Sequence, residues 1–280
     1  MESDGEFIMA VKYLSGNRLW GTDAERLAMT TTSATTYTGD MSTGWTQTDA
    51  GADFTIDGTD DEIDFHDSYN ANNVYFDLSA VETLSTSAWC LRFTYQITGS
   101  AVSDNPVFWV GISNTGVTAS NTTETDYLGF GSQTLNGTTT LAPYLYACDD
   151  NRLDQADVGQ RLQLDSSNVN LVSDNTKYYI QVVRDSGNFT VKVFSNSGFS
   201  TLLCEKSNAV ITDETLKYFI VANYIQGSNV TGTLSEMKWW NGTTDPSSYP
   251  NLPNGSVFIT SDTNVHYMWN SSAETWHEVA

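Results

Sequence analysis

The stretch YYIQVVRDSGNFTVKVF, residues 178–194, decides the fold class of this 280-residue chain. Apolar and polar side chains alternate along residues 178–184 and again along residues 189–194, which is the period of a half-buried β-strand. The sequence Asp185-Ser186-Gly187-Asn188 lies between them, and its glycine is expected to adopt the positive φ of a tight turn. The stretch therefore predicts an antiparallel β-hairpin with one face in a core.

A second long run, WCLRFTYQI at residues 89–97, alternates in the same way. One face carries Trp, Leu, Phe, Tyr and Ile, while the other carries Cys, Arg, Thr and Gln, as in a strand buried on one side. Similar short runs recur through the chain and helical periodicity is nearly absent, which predicts an all-β sandwich or barrel. The other predicted strands of this region are 53–56, 62–65, 74–78, 107–113, 127–130, 143–147, 161–164, 202–206, 216–224 and 232–240.

The order of four segments carries a resemblance: VYFDLSAVETLSTSAWCLRFTYQIT, then VFWVGISN, then YYIQVVRDSGNFTVKVFSNSGFSTLL, then LSEMKWWNG. It resembles the concanavalin A-like (laminin-G-like) jelly roll over roughly residues 40–242. The resemblance implies an antiparallel jelly-roll β-sandwich, one sheet of which presents a concave face. We divide the chain into an extended N-terminal arm at 1–38, a jelly-roll body at 39–245 and a C-terminal tag at 246–280.

The tag ends in LPNGSVFITSDTNVHYMWNSSAETWHEVA, residues 252–280, where three short alternating runs predict a small β-meander. It resembles the C-terminal tags of tail-fibre and other virion structural proteins of marine bacterial and archaeal viruses. MAVKYLSGNRLWG, from Met9, similarly resembles the start of many proteins of marine viruses and archaea. So small a unit cannot bury this many aromatic residues by itself, so we expect some of them either to pack against a neighbouring segment or to stay available for binding. The candidate assembly residues of the arm, body and tag are Tyr13, Leu14, Trp20, Trp240, Tyr267, Trp269 and Trp276.

The charge of the chain limits its partners. Twelve Lys and Arg against 34 Asp and Glu give a net charge of −22, which argues against nucleic acid and anionic membranes, since both need a basic face. The sequence has no apolar run of the length needed to span a membrane. Its N-terminus lacks the basic and apolar regions of a secretory signal, which argues against export by the general secretory route. The abundant Ser, Thr, Asn and Gly and the low Lys content are nevertheless typical of an extracellular surface protein. A virion surface reached by lysis reconciles the two observations, and an extracellular protein whose signal has been removed reconciles them equally well.

Three cysteines, Cys90, Cys148 and Cys204, are far apart in the sequence. Their spacing does not fit a zinc site. We expect three buried thiols, and one disulfide with a remaining thiol is the alternative.

Residues 62–67, EIDFHD, are the strongest candidates for catalysis. Alternation places Glu62, Asp64 and His66 on one face, and the pattern resembles the paired carboxylates of laminarinase-type glycoside hydrolases. It departs from that family at Asp67, where the family has Glu. We therefore expect a solvated acidic strand and a protein that is not an enzyme.

Two further sets of residues are candidate binding sites. Aromatic rings that stack on sugars, with an amide for the hydroxyls, are predicted to line the concave face: Trp109, Tyr127, Tyr144, Tyr146, Asn223 and Tyr224. Oxygen ligands suited to calcium occur together at Asp149, Asp150, Asn151 and Asp154. No cofactor is required, and calcium is the one metal that the sequence suggests.

These observations lead to a function hypothesis with two alternatives. The leading one is a virion structural protein, either a tail fibre, a spike or a capsid decoration. It would assemble with copies of itself and other virion proteins through its termini and display a jelly roll to host-surface glycans. The alternatives are a carbohydrate-binding or adhesion module of a cell surface and a glycoside hydrolase that uses Glu62 and Asp67.

Overall fold

A computed structural model of the chain describes part of the sequence in detail: residues 12–14, 18–22, 26, 43–48, 53–65, 72–80, 84–99, 106–116, 125–134, 141–151, 161–164, 169–171, 175–209, 215–223, 231–244, 255–270 and 275–279. The chain divides into two compact units. One, the body, spans residues 35–244. The other, the terminal unit, combines residues 1–34 with residues 245–280.

The body contains two sheets of seven strands each. Sheet 1 has the order β14-β13-β12-β7-β16-β5-β4 and sheet 2 the order β11-β10-β9-β8-β15-β6-β3. The strands of sheet 1 are β4 Phe54–Asp57, β5 Glu62–Phe65, β7 Ala88–Gly99, β12 Lys177–Asp185, β13 Asn188–Phe194, β14 Leu202–Ala209 and β16 Thr231–Asn241. Those of sheet 2 are β3 Trp45–Thr48, β6 Asn72–Asp77, β8 Pro106–Ser113, β9 Thr125–Thr134, β10 Leu141–Asn151, β11 Arg161–Gln163 and β15 Tyr218–Asn223. A single 3₁₀ turn, Leu78–Ala80, follows β6.

The two sheets pack face to face around an aromatic core. The rings of Phe65 in sheet 1 and Phe108 in sheet 2 stack with their centroids 4.2 Å apart, and Tyr95 meets Phe130 edge-on at 5.3 Å. The hydroxyl of Tyr95 donates to Ser132 Oγ across the core at 3.0 Å. Every strand pair of these two sheets is antiparallel, and the body is an all-β, antiparallel jelly-roll sandwich as predicted.

The hairpin that suggested the fold is formed by β12 and β13, with Asp185 opposite Asn188. The positive φ of its turn is adopted by Ser186, at 53°, and not by Gly187 as the sequence suggested. A Cβ on Gly187 would have nothing within 4 Å. The turn therefore does not depend on that glycine for space or for backbone freedom.

Two other sequence features have a clear place in the body. Trp239 lies in the core, whereas Trp240 lies on the outer face of sheet 1 with Cys90 and Val183, so the two indoles face opposite sides of the sheet. The three cysteines are all buried as thiols. No helix in the described part of the chain is long and apolar enough to cross a membrane.

The terminal unit is built around a five-stranded sheet with the order β1-β2-β17-β18-β19, the terminal sheet. Its strands are β1 Lys12–Leu14, β2 Arg18–Gly21, β17 Val257–Thr260, β18 His266–Asn270 and β19 Thr275–Val279. The last three are the predicted meander. Strand β2 pairs in parallel with β17, so the arm and the tag, which the sequence analysis treats as separate segments, share one sheet.

Candidate functional site

Four of the predicted sugar-binding rings, those of Trp109, Tyr127, Tyr144 and Tyr146, lie on the outer face of sheet 2, the face directed away from the sandwich core. In the central strands, Trp109 is opposite Gly131, which in turn is opposite Tyr144. Tyr146 is likewise opposite Gly129. The sequence analysis thus placed these rings on one face, and the structure brings them together.

Three glycines make room for the rings by leaving the outer face without side chains at Gly111, Gly129 and Gly131. A Cβ on Gly131 would collide with the ring of Tyr146 and lie 3.2 Å from Trp109 Cδ1. A Cβ on Gly111 would lie 2.8 Å from the hydroxyl of Tyr127. The rings therefore lie flat on the sheet, an arrangement in which aromatic residues cover glycine backbone.

This close packing leaves most of the predicted rings without exposed surface. Trp109, Tyr127 and Tyr146 are each 0% exposed. The hydroxyl of Tyr127 donates to the Phe130 carbonyl at 2.9 Å, and that of Tyr146 donates to Gln133 Oε1 at 3.2 Å. The prediction that these three rings contact a surface ligand is therefore corrected, because in this structure they are packing residues.

Burial also determines the protonation state of Tyr127 in this cluster. Desolvation, followed by the nearby Cys148 and Tyr146, raises the pKa of Tyr127 well above its ordinary value, so the phenol stays neutral. The indole Nε1 of Trp109 is buried with no hydrogen-bond partner. Such a donor costs free energy when it is left unsatisfied.

Among the predicted rings that the structure describes, only Tyr144 keeps part of its surface exposed. It is half-buried, packs against the cluster of Trp109 and Tyr146, and is opposite Gln163 of β11. Asn223 is the last residue of β15. Its side chain and all of Tyr224 lie outside the described residues, and their predicted role stays a prediction.

The acidic strand β5 has the alternation that the sequence predicted. Ile63 and Phe65 lie in the core, which directs Glu62 and Asp64 to the outer face of sheet 1, opposite Ser235 and Thr233. Partial burial raises the pKa of Glu62, and repulsion from Asp64, Asp60 and Asp57 adds to the effect. His66 and Asp67 lie outside the described residues.

The predicted calcium ligands Asp149, Asp150 and Asn151 form the end of strand β10. Their side chains and Asp154 lie outside the described residues. Among the described residues there is no group of three or more His, Cys, Asp or Glu side chains able to hold a metal ion. Calcium binding stays a prediction.

The terminal sheet has two different faces. One buries Leu19, Phe258, Trp269 and Trp276 in an aromatic cluster. On the other face, Trp20 is 39%, Met268 41% and Val279 40% exposed. Val257 and Ile259 are half-buried between them, in register with Met268 and Trp20. We call Trp20, Met268 and Val279 the terminal patch.

The candidate assembly residues thus divide into buried and exposed groups. Trp269, Trp276 and Trp240 are each less than 10% exposed, so the prediction that they form contacts between molecules is corrected. Tyr267 packs against the same cluster under the guanidinium of Arg26, which lies 3.7 Å from its ring centre. Trp20 is exposed, and its role in assembly stays a prediction. The side chains of Tyr13 and Leu14, both in β1, lie outside the described residues.

Sequence reasoning missed Met268 and Val279. Strand alternation could have identified them, because it places them on the face opposite to the buried Trp269 and Trp276. It also missed a second exposed apolar pair. Leu202 and Leu203, at the start of β14, are 46% and 37% exposed. They lie on the last strand of sheet 1, and we call them the edge patch.

Comparison with known proteins gives no family. No family model matches the chain, and no curated protein does. Among solved structures, the chain is similar to the exoplasmic/lumenal domain of VIP36 in its Ca²⁺/Man2-bound form, at 11% identity over 74% of this chain and 84% of that chain, with a TM-score of 0.48. It is also similar to arcelin-5, a lectin-like defence protein from Phaseolus vulgaris, at 11% identity over 72% and 95%, TM-score 0.45. A third similar structure is the alginate lyase from Klebsiella pneumoniae, at 12% identity over 68% and 84%, TM-score 0.43. The jelly-roll assignment rests on the strand order described above, and these similarities assign neither a family nor an activity.

Proposed function

We propose that this chain is a non-enzymatic structural protein of a virus particle, either a tail fibre, a spike or a capsid decoration, that assembles through its termini and displays the jelly-roll body. The observation that carries the proposal is the terminal sheet. Both ends of the chain contribute to it, it has an aromatic core of its own, and its other face leaves Trp20, Met268 and Val279 exposed.

An exposed apolar face on a small sheet is costly unless something covers it. Polar residues in place of Trp20 and Met268 would not disturb the packing of the aromatic cluster, because these two positions lie on the opposite face of the sheet from Phe258 and Trp269. Their apolar character is therefore explained by a contact outside the terminal unit. The resemblance of both ends to virion protein termini supports the choice of particle, and an acidic body suits a displayed, soluble surface.

The proposal is tested by sedimentation velocity and electron microscopy of the full-length chain over a concentration series. We expect ordered oligomers or fibres for the native protein and their loss in the double variant Trp20→Arg, Met268→Glu. Asn188→Asp, an exposed change at the tip of the β12–β13 hairpin, is the matched control and should assemble normally. A native protein that stays monomeric throughout the series contradicts the proposal.

The choice of particle has its own test. Antibody against the purified chain should label the surface of virus particles in immunogold electron microscopy. Label on cell envelopes in place of particles would favour the cell-surface adhesion alternative.

A second candidate function, glycan binding by the body, is supported by one arrangement. Tyr144 keeps exposed surface opposite Gln163 and packs against the cluster that contains Trp109, whose buried indole N–H is unsatisfied. A stacking ring next to an amide has the make-up of a sugar subsite. A glycan array should then show binding that Tyr144→Ala removes and Tyr179→Ala, a half-buried tyrosine of sheet 1, leaves unchanged. An array without any binding by the native chain rejects this candidate.

A further inference from the structure

The exposed large apolar residues of the described part of the chain fall into two patches only. Trp20, Met268 and Val279 form the terminal patch, and Leu202 and Leu203 form the edge patch. The first belongs to the terminal unit and the second to the body. From this pairing we infer that the terminal patch of one copy binds the edge patch of the next copy, which extends the proposed function by naming the surface on which the termini dock.

The edge patch has the properties of a docking strand. Strand β14 is the last strand of sheet 1 among the described residues, and Leu202 and Leu203 are its first two residues. Edge strands of monomeric proteins are usually protected by charge. In β14 the charged residues Glu205 and Lys206 come only after Leu202 and Leu203, so the start of the strand is apolar and exposed.

The charges around the two patches favour contact between them. The outer face of the terminal sheet carries Arg18, His266 and His277, all exposed. On this face the described residues of strands β2, β17, β18 and β19 include no carboxylate. A second copy carries a net charge of −22, so its approach is repelled less at this face than at an acidic one.

Beside the edge patch, Glu205 has a side chain that is 51% exposed and lies 3.7 Å from Lys192. Glu205 already pairs with Lys192. Because an exposed ion pair of this length is weak, Arg18 of a second copy can share the Glu205 carboxylate with Lys192. Two copies that met through their terminal patches alone would bring two Arg18 side chains together, and like charges at an interface disfavour association.

The contact is heterologous, because each copy uses a different patch. Heterologous contacts leave one patch unused at each end of a complex, so they build rings or open filaments and not closed two-fold dimers. This outcome agrees with a fibre or a ring of subunits. It also provides a test that separates the two kinds of contact.

The test uses two full-length variants, each blocked at one patch: Met268→Glu at the terminal patch and Leu203→Glu at the edge patch. Each change places a carboxylate at an exposed position, and circular dichroism with a urea unfolding curve verifies that both variants fold. Sedimentation velocity of each alone should show association weakened by about tenfold or more, as expected for a charge in an apolar contact. Asn188→Asp should associate like the native chain.

An equimolar mixture of the two variants gives the decisive result. Met268→Glu keeps its edge patch and Leu203→Glu keeps its terminal patch, so the mixture should form a one-to-one complex and nothing larger. The inference is overturned if Leu203→Glu assembles like the native chain, or if the mixture stays monomeric. Leu203→Gln and Met268→Gln repeat the test if a glutamate variant does not fold.

These outcomes distinguish the inference from the proposed function. A native chain that assembles, with a Leu203→Glu variant that assembles equally well, rejects the edge patch but leaves assembly through the termini standing. A native chain that remains monomeric at every concentration rejects both.

Discussion

Gly131 is the glycine under the aromatic rings of sheet 2 whose replacement tests the packing of Tyr146 directly, because the atoms nearest to an added Cβ all belong to aromatic side chains. A Cβ at this position would enter the ring of Tyr146 and lie 3.2 Å from Trp109 Cδ1. Both rings are 0% exposed, so neither can swing into solvent without opening the cluster. Gly131→Ala must therefore displace Tyr146 or bend strand β9.

The cost can be worked from these contacts. Adding a methyl group to a well-packed core costs about 1–3 kcal/mol. If Tyr146 moves, its hydroxyl also loses the 3.2 Å hydrogen bond to Gln133, which adds about 1 kcal/mol. We expect Gly131→Ala to lower the free energy of unfolding by about 2–4 kcal/mol.

Urea unfolding measures this change, and Gly187→Ala is the matched control. A Cβ on Gly187 meets nothing within 4 Å, so the control should be neutral or stabilise by about 0.4–1 kcal/mol through the unfolded state. A double-mutant cycle with Tyr146→Ala locates the collision, because without the ring Gly131→Ala should cost less than about 1 kcal/mol. The reasoning is refuted if Gly131→Ala is neutral in the native background, or if its cost is the same with and without the Tyr146 ring.

Three other changes test other parts of the structure. Leu19→Ala removes a side chain that is 1% exposed in the terminal cluster and should lower the stability of the terminal unit by about 2–5 kcal/mol. The loss should appear as faster hydrogen exchange in β17 and β18. Trp20→Ala, on the exposed face, should change exchange little, and equal effects of the two variants would contradict the assignment of the two faces. Tyr95→Phe leaves the Ser132 hydroxyl in the core without its partner and should cost about 1–3 kcal/mol by urea unfolding, whereas a loss below about 0.5 kcal/mol would mean that the bond contributes little. The raised pKa of Glu62 means that the folded state holds this proton to higher pH than the unfolded state does, so the ionised carboxylate disfavours folding above its folded pKa. Glu62→Gln should therefore stabilise the chain at neutral pH, with the difference shrinking as the pH falls through the pKa of this carboxyl group in the folded state. A difference that does not change with pH would show that ionisation is not the cause.

The strands of the body were largely predictable because alternation is a local property of the sequence. The hairpin of β12 and β13 and the opposite orientations of Trp239 and Trp240 follow from a period of two residues. Strand β3 was missed, because in Trp45-Thr46-Gln47-Thr48 only one residue is apolar. It is placed by its register with β6, where Trp45 is opposite Phe76.

The candidate sites were harder to predict, since alternation assigns a face but not its exposure. Trp109 and Tyr146 were correctly grouped on one face of a sheet, yet their burial depends on a glycine in the neighbouring strand, Gly131, which gives them room to lie flat. Trp269 and Trp276 likewise looked available for binding in so short a segment. They are buried because Leu19, from the other end of the chain, completes their cluster.

The sequence by itself determined that this protein is an acidic, all-β chain with a sandwich or barrel body and an aromatic C-terminal segment, because charge and two-residue periodicity are read directly from neighbouring residues. Tertiary structure alone decided that β2 lies parallel to β17, and therefore that the arm completes the tag and that Trp20 and Met268 face outward together. Pairing between strands at opposite ends of a chain depends on which edges and apolar faces remain to be covered once each segment has formed. Which of these edges and faces pair is therefore decided only when the whole chain has folded.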